Sequence, residues 1–342
     1  MNGLKPGSEA ERGSALVVVI WVVGLLSLLI SSFAFDAHIE AKLTSYRRKR
    51  TKADGLAESG LEIAGMLMAR STEIEPGTED EPEEGDEWYE YAKRLAEGHA
   101  VSNSWPLGEG EVTVAIQSER ARRAVNYLDD EEEWEGVLEV AEIPEEIWPE
   151  LIESVLDWTD QDDDPRVDGA EADYYEDLDP PYRPSNGPLF AVEELLQVRG
   201  FTRDILYSST TTPLFEGEAP RRKPRLIDLL TEYGSDDKVN VNAASTNVLM
   251  TLPHEDIDLI VEAIVSEREG EDAYFRNDTD LFRRVPSLNT PILRRYVTTE
   301  ASEYYRITSV GKVQGVARKV WCIVSFDRGA KKLTFVRWRE ED

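Results

Sequence analysis

Between Trp158 and Tyr175 the chain carries carboxylates at Asp160, Asp162, Asp164, Asp168, Glu171 and Asp173. The first five fall at positions one, three, five, nine and twelve of a loop, the spacing with which an EF-hand curves side-chain oxygens around one Ca2+. Oxygen donors suit a hard cation, and Mg2+ fits less well because it demands a small, rigid octahedral site. Position six, where that motif needs glycine for its turn, is Pro165, and proline locks φ at about −65°. Pro180, Pro181 and Pro184 follow too soon for a second long helix. The expectation is a calcium loop of another geometry, with all six carboxylates as candidate ligands. The competing reading is a solvated acidic loop. Trp158, Tyr174 and Tyr175 beside it speak for an ordered setting.

Little else in the chain points to chemistry. The three histidines, His38, His99 and His254, are scattered, and no nucleophile–base set or glycine-rich phosphate loop accompanies them. Carboxylates are too abundant for spacing to single out a glycosidase pair. The chain reads as a non-enzyme. Its one cysteine, Cys322, lies in an alternating apolar stretch, which implies a buried structural thiol and no internal disulfide. A net charge of −31 disfavours nucleic acid and anionic lipid and favours divalent cations or basic partners. The run from Val239 through Asn242 and Ser245 to Leu252, followed by Ile257, Ile260 and Ile264, is similar to DNA-binding helix-hairpin-helix units. Its hairpin, however, is Pro253, His254, Glu255 and Asp256, without glycine and with two acids, so a structural role is expected. Asn240 and Asn242 are expected to bond backbone turns.

These residues need elements to position them. A helix over 147–158, burying Ile147, Leu151, Val155 and Trp158, leads into the acidic loop. Further helices are expected at 190–199, 225–233, 245–252, 255–268 and 289–295. Alternation of apolar and polar residues marks a strand at Val112–Gln117, another at Arg123–Leu128, and a three-strand meander at 305–310, 319–326 and 333–338. The last two strands join at Asp327–Ala330. The acidic run 72–90 reads as a solvated loop, and Asp129–Glu135 as an exposed turn. Strands on both sides of a helical middle imply one sheet domain split by an insertion.

The N-terminus decides the setting. Ser14–Phe35 is uncharged and apolar, long enough to cross a bilayer. A signal peptide cut after Ala34 would release a secreted calcium-binding protein. A plain signal anchor is the second reading. The third is a leader cut after Gly13, which keeps the apolar segment on the mature chain. Helical spacing continues through Ile39, Leu43, Ala57, Leu61, Ala64 and Leu67. That favours the third reading and implies one helix of about fifty residues, about 75 Å long. Arg47, Arg48, Lys49, Arg50 and Lys52 beyond the span oppose it, since basic residues prefer the cytoplasmic side.

The junction Arg12–Val19 resembles the cleavage region of type II secretion pseudopilins. Most of that family carry glutamate at the fifth mature position, where this chain has Val18. The departure is the mark of the minor pseudopilin K (general secretion pathway protein K) family. Asp157–Asp162, Gly169–Tyr175, Pro181–Pro188, Glu193–Leu195 and Val198–Gly200 also resemble that family, whose members bind calcium in the large domain. The resemblance implies an α+β fold: a membrane-spanning helix and a split pilin-like α/β domain with an inserted all-α, SAM-like or helix-hairpin-helix-like domain. The expected spans are leader 1–13, transmembrane half 14–35, first pilin-like part 36–140, insertion 141–295 and final strands 296–342. It further implies a prepilin peptidase cutting between Gly13 and Ser14, methylation of Ser14, and a single-pass inner-membrane protein with a periplasmic domain. The partners implied are the I, J and H minor pseudopilins and the inner-membrane assembly platform. Small residues Gly24, Ser27 and Ala34 suit helix-to-helix packing. The role implied is initiating the pseudopilus at its tip. The alternative is a minor type IV pilin for DNA uptake or adhesion.

Overall fold

The computed structural model describes residues 9–76, 86–209, 211–212, 221–222, 224–270 and 274–341. One helix, α1 (Glu9–Ser71), begins ahead of Gly13 and runs without a break through the apolar segment. Every residue from Leu16 to Phe35 is exposed. Among the described residues this is the one helix long and apolar enough to cross a membrane. Its other half is amphipathic. Ala57, Leu61, Ala64, Leu67 and Met68 are buried against Val112, Val114, Ile116, Ile307, Val320 and Cys322. Each fully buried leucine or methionine there contributes about 1.5–3 kcal/mol.

The sheet under α1 is antiparallel throughout. Its strands, in both chain and spatial order, are β1 (Val101–Leu107), β2 (Gly110–Ser118), β3 (Tyr304–Val313), β4 (Val316–Asp327) and β5 (Lys332–Glu341). β2 and β3 are neighbours, with Ser118 opposite Tyr305 and Glu111 opposite Lys312, although residues 119–303 lie between them in sequence. Close approach sets the helix on the sheet. A Cβ on Gly311 would stand 2.1 Å from the Ala53 carbonyl oxygen, and one on Gly60 would stand 2.0 Å from Ser309 Oγ. Before β1 comes a short helix, α2 (Tyr89–Ala96). Trp88 stacks on Trp105 at 4.9 Å and Arg70 pairs with Asp86. Trp88 and Asp86 are thus anchored where a solvated loop is expected over 72–90; residues 77–85 lie outside the described set.

The long segment between β2 and β3 has its own core. Its helices are α3 (Glu131–Val140), α4 (Trp148–Thr159), α5 (Ala172–Glu176), α6 (Arg203–Tyr207), α7 (Leu226–Leu229), α8 (Thr246–Met250), α9 (Ile257–Arg268), α10 (Asp278–Arg284) and α11 (Leu293–Tyr296). Apolar residues of 125–140 pack into this core, whereas the sequence reading places them in 36–140 with the sheet domain. The expected turn at 129–135 is the start of α3. Asp130 caps it, accepting from Glu133 N at 3.0 Å, and three glutamates occupy its first turn, where the helix dipole favours them. The expected strand at 123–128 shrinks to Arg123–Ala124, paired with Leu230–Thr231. Arg123 turns inward, donating to the Thr251 carbonyl oxygen at 2.9 Å and facing buried Glu133 at 3.5 Å. That parallel pairing also ends the expected helix 225–233 at Leu229. The expected helix 190–199 is a 3-10 turn over Val192–Gln197, pinned by Glu194, which accepts from both Phe190 N and Trp158 Nε1. Asn240 accepts from Asn242 N and donates to the Glu300 carbonyl oxygen, and Asn242 bridges both backbone groups of Phe275. Both asparagines hold backbone, as expected.

Candidate metal centre

The centre forms where α4 ends. Asp157 lies in its last turn and Asp160 caps it, three residues apart and so on one face. The loop then returns through Gly169 to Glu171, just ahead of α5. Carboxylate oxygens of Asp157, Asp160 and Glu171 all lie within 4.8 Å of one another. Asp157 is fully buried and Glu171 nearly so. A Cβ on Gly169 would fall 2.0 Å from Asp157 Oδ2, so only glycine lets the loop lie against that carboxylate.

The loop is fastened behind this cluster. Arg199 donates from Nη1 to the Gly169 carbonyl oxygen at 2.9 Å, pairs with Glu150 and lies over the Tyr174 ring. Trp158 and Tyr175 meet edge-to-face with centroids 5.0 Å apart, and Tyr182 stacks beyond them. Burial pushes the Tyr175 hydroxyl up to about 12. α5 is a short helix where none was expected, ending ahead of Pro180.

Electrostatics leave the carboxylates under-satisfied. Glu171 Oε1 and Oε2 and Asp160 Oδ1 are buried without a hydrogen-bond partner. Burial first, then the charges of Asp157, Asp160, Asp163 and Asp162, push the Glu171 carboxyl up to about 7. Arg166 supplies the present countercharge. Its guanidinium bonds Asp157 and reaches Asp160 Oδ2 at 2.8 Å, and its backbone N–H donates to Asp157 Oδ2 at 3.1 Å. The side chain is 39% exposed, so it can withdraw. Orphaned buried oxygens on Asp160 and Glu171, gathered beside buried Asp157, fit a hard divalent cation.

Of the six expected ligands, Asp160 and Glu171 come together. Asp162, Asp164, Asp168 and Asp173 are exposed and lie outside the cluster. Asp162 accepts from Asp164 N at 3.0 Å, shaping the loop, and Asp168 N donates to Glu153. Asp157 was missed because counting along the loop starts after the helix. Its signal is the helical spacing Asp157–Asp160.

Residues 118–208, spanning this centre, match the family model for protein K of the type II secretion system. Over those residues the chain is similar to that family. Type II secretion system protein K of Pectobacterium carotovorum subsp. carotovorum is 24% identical over 209 residues, 57% of this chain and 60% of that protein. Its Aeromonas hydrophila counterpart is 24% identical over 213 residues, with the same coverage. The matched region thus spans about three fifths of these relatives' length. The crystal structure of the GspK-GspI-GspJ complex from the enterotoxigenic Escherichia coli type 2 secretion system contains a chain with a similar fold. The TM-score is 0.58 at 13% identity, over 87% of this chain and 99% of that one. The fold of this chain, a mixed α+β arrangement with a long apolar N-terminal helix, is thus similar to that of the chain in that complex.

Proposed function

We propose that this protein is a minor pseudopilin that assembles with the I and J minor pseudopilins, and with H, at the tip of a type II secretion pseudopilus. The observation that carries the proposal is the helical body placed between β2 and β3, on a sheet that is otherwise a plain meander against α1. A pilin-type helix joins a filament, and a bulky body over the sheet prevents another subunit from stacking above. The exposed apolar half of α1 suits the inner membrane before assembly, with the remainder in the periplasm. Prepilin peptidase would cut after Gly13 and Ser14 would be methylated. Val18, in place of a glutamate, removes the need for a partner amine from a subunit above. The work is assembly and secretion, not catalysis.

The register offers a direct test. Ser118 and Tyr305 are paired neighbours, so a short turn can replace 119–303 and leave the sheet intact. In cells lacking the native gene, the excised chain should be stable and processed to a Ser14 N-terminus, read by mass, yet fail to support secretion. Full secretion with the excised chain would sink the tip assignment.

Calcium belongs to the same proposal. Asp157, Asp160 and Glu171 would hold it, and it would neutralise three crowded carboxylates and tie the loop to α4.

A further inference from the structure

The sheet domain and the helical body meet at the C-terminal end of α2. This helix belongs to the sheet side, since Ala92 and Leu95 pack in the core under α1. Its end closes with the Gly98 backbone N–H donating to the Leu95 carbonyl oxygen at 3.1 Å and that of His99 to the Arg94 carbonyl oxygen at 2.9 Å. Gly98 takes φ +81°, a left-handed turn that glycine adopts without penalty. A Cβ there would stand 3.5 Å from Asn240 Nδ2 and 3.7 Å from Asn242 Cβ, so the turn rests directly on the body.

The turn presents His99 across the joint. With Arg94 and Glu97 on its own side, and Asn242 and Arg268 of the body, it lines a cavity of about 350 Å³. Its ring meets that of Tyr274 edge-on, centroids 6.3 Å apart, and Arg276 and Arg328 act on Tyr274 from beyond. Arg268 is fixed in place, donating from Nη1 to the Val241 and Ala244 carbonyl oxygens at 3.0 and 2.7 Å. Among the described residues lining the cavity, Glu97 is the one carboxylate against two guanidinium groups.

Burial first, then the charges of Arg94 and Arg268, hold the His99 imidazole below its usual value, and the Asn242 carbonyl oxygen offsets only part of this. The ring is therefore neutral at neutral pH. Protonation would add a third positive charge to a space that already holds two. A separated His99 takes up its proton near the ordinary value of about 6.5, whereas the closed joint resists it, so falling pH favours separation.

We propose that His99 is an acid-released latch: neutral, it lets the helical body close against α2, and protonated, it drives the two apart there. Glu119, whose burial is outweighed by Arg122 and Arg306, keeps its charge through this range. That seam holds while the latch opens, so the body swings and does not detach. This motion does not depend on a role in secretion.

The test uses the full chain in non-ionic detergent with nitroxide labels at E111C on β2 and E262C on α9, both exposed positions. Cys322 is fully buried and stays unlabelled. Pulsed electron spin resonance reads the distance between the labels. The parent should give one narrow distribution at about pH 7.5, and the displaced fraction should rise about threefold or more at about pH 5. H99Q, neutral throughout, should stay narrow at both. R94E, which offers the charged ring a carboxylate, should also stay narrow with His99 in place. H254Q, in the hairpin of the helical body, should follow the parent. Glu171 titrates in the same range, but it is untouched in H99Q, so any loosening it causes persists there. Thermal melts check that each variant is folded. A parent distribution unchanged by acid, or equal broadening in folded H99Q or folded R94E, overturns the proposal.

Discussion

Glu171 is the most consequential single residue, because its charge is both crowded and buried. Its carboxyl, raised from 4.5 to about 7, sets a sign. Without metal, the raised group stabilises the fold fully below about pH 4.5, and that contribution is lost as pH rises through about 7. A cation needs the ionised form. Added Ca2+ should therefore raise the melting temperature by several degrees at pH 8, with the rise shrinking between pH 7 and 5. Asp160→Ala with Glu171→Ala should abolish the rise, as should Asp157→Asn. A melting temperature indifferent to saturating Ca2+ at pH 8 would end the calcium assignment. The sequence marks two of these three carboxylates through loop spacing. Asp157 escapes that count because its place is set by the helix turn before the loop. Asp162, Asp164 and Asp168 match the spacing too, yet they face solvent, as Asp173 does, in a loop shaped by the Asp162 turn and Pro165.

At the scale of elements, the seam between α1 and the sheet depends on atoms that are missing. Gly311 and Gly60 let the helix backbone approach the strands more closely than any side chain would permit. Gly311→Val should cost about 1–3 kcal/mol or more in urea unfolding, through overpacking against Ala53 and Ala57. Gly24→Val, which meets nothing within 4 Å, should leave that unfolding unchanged. Equal stability of the two variants would show that the helix rides farther from the sheet. The strands of this seam are legible from alternation, since one face is buried and the other is not. β1 is not legible. It carries Pro106 and polar residues that only an edge strand tolerates. Short helices such as α6 and α10 are also hidden, because each presents less than two full turns of pattern.

The whole molecule has two hydrophobic cores, one under α1 and one in the helical body. Polar contacts join them, among them the buried Glu119 carboxylate. Burial raises its pKa, but Arg122 and Arg306 more than offset this and hold it below its usual value. Arg120 with Asp236, and Arg337 with Glu232, continue the seam. Separate cores joined by a polar seam should unfold in separate steps. Calorimetry of the full chain should show two transitions, and Ca2+ should raise only that of the helical body. A single transition moving as a unit would mean that the seam couples the cores fully.

By itself the sequence determines the apolar span, the long helix, the alternating strands at both ends and the acidic loop, because each is a local pattern of residue types. The motifs by which it resembles a known family cluster in that loop and the residues after it. What the tertiary structure alone decides is non-local. It pairs Ser118 with Tyr305 across the whole helical body. It gathers Asp157, Asp160 and Glu171 while turning four other carboxylates to solvent. No window of sequence contains these relations, since they arise where chain folding brings distant residues to the same few ångströms.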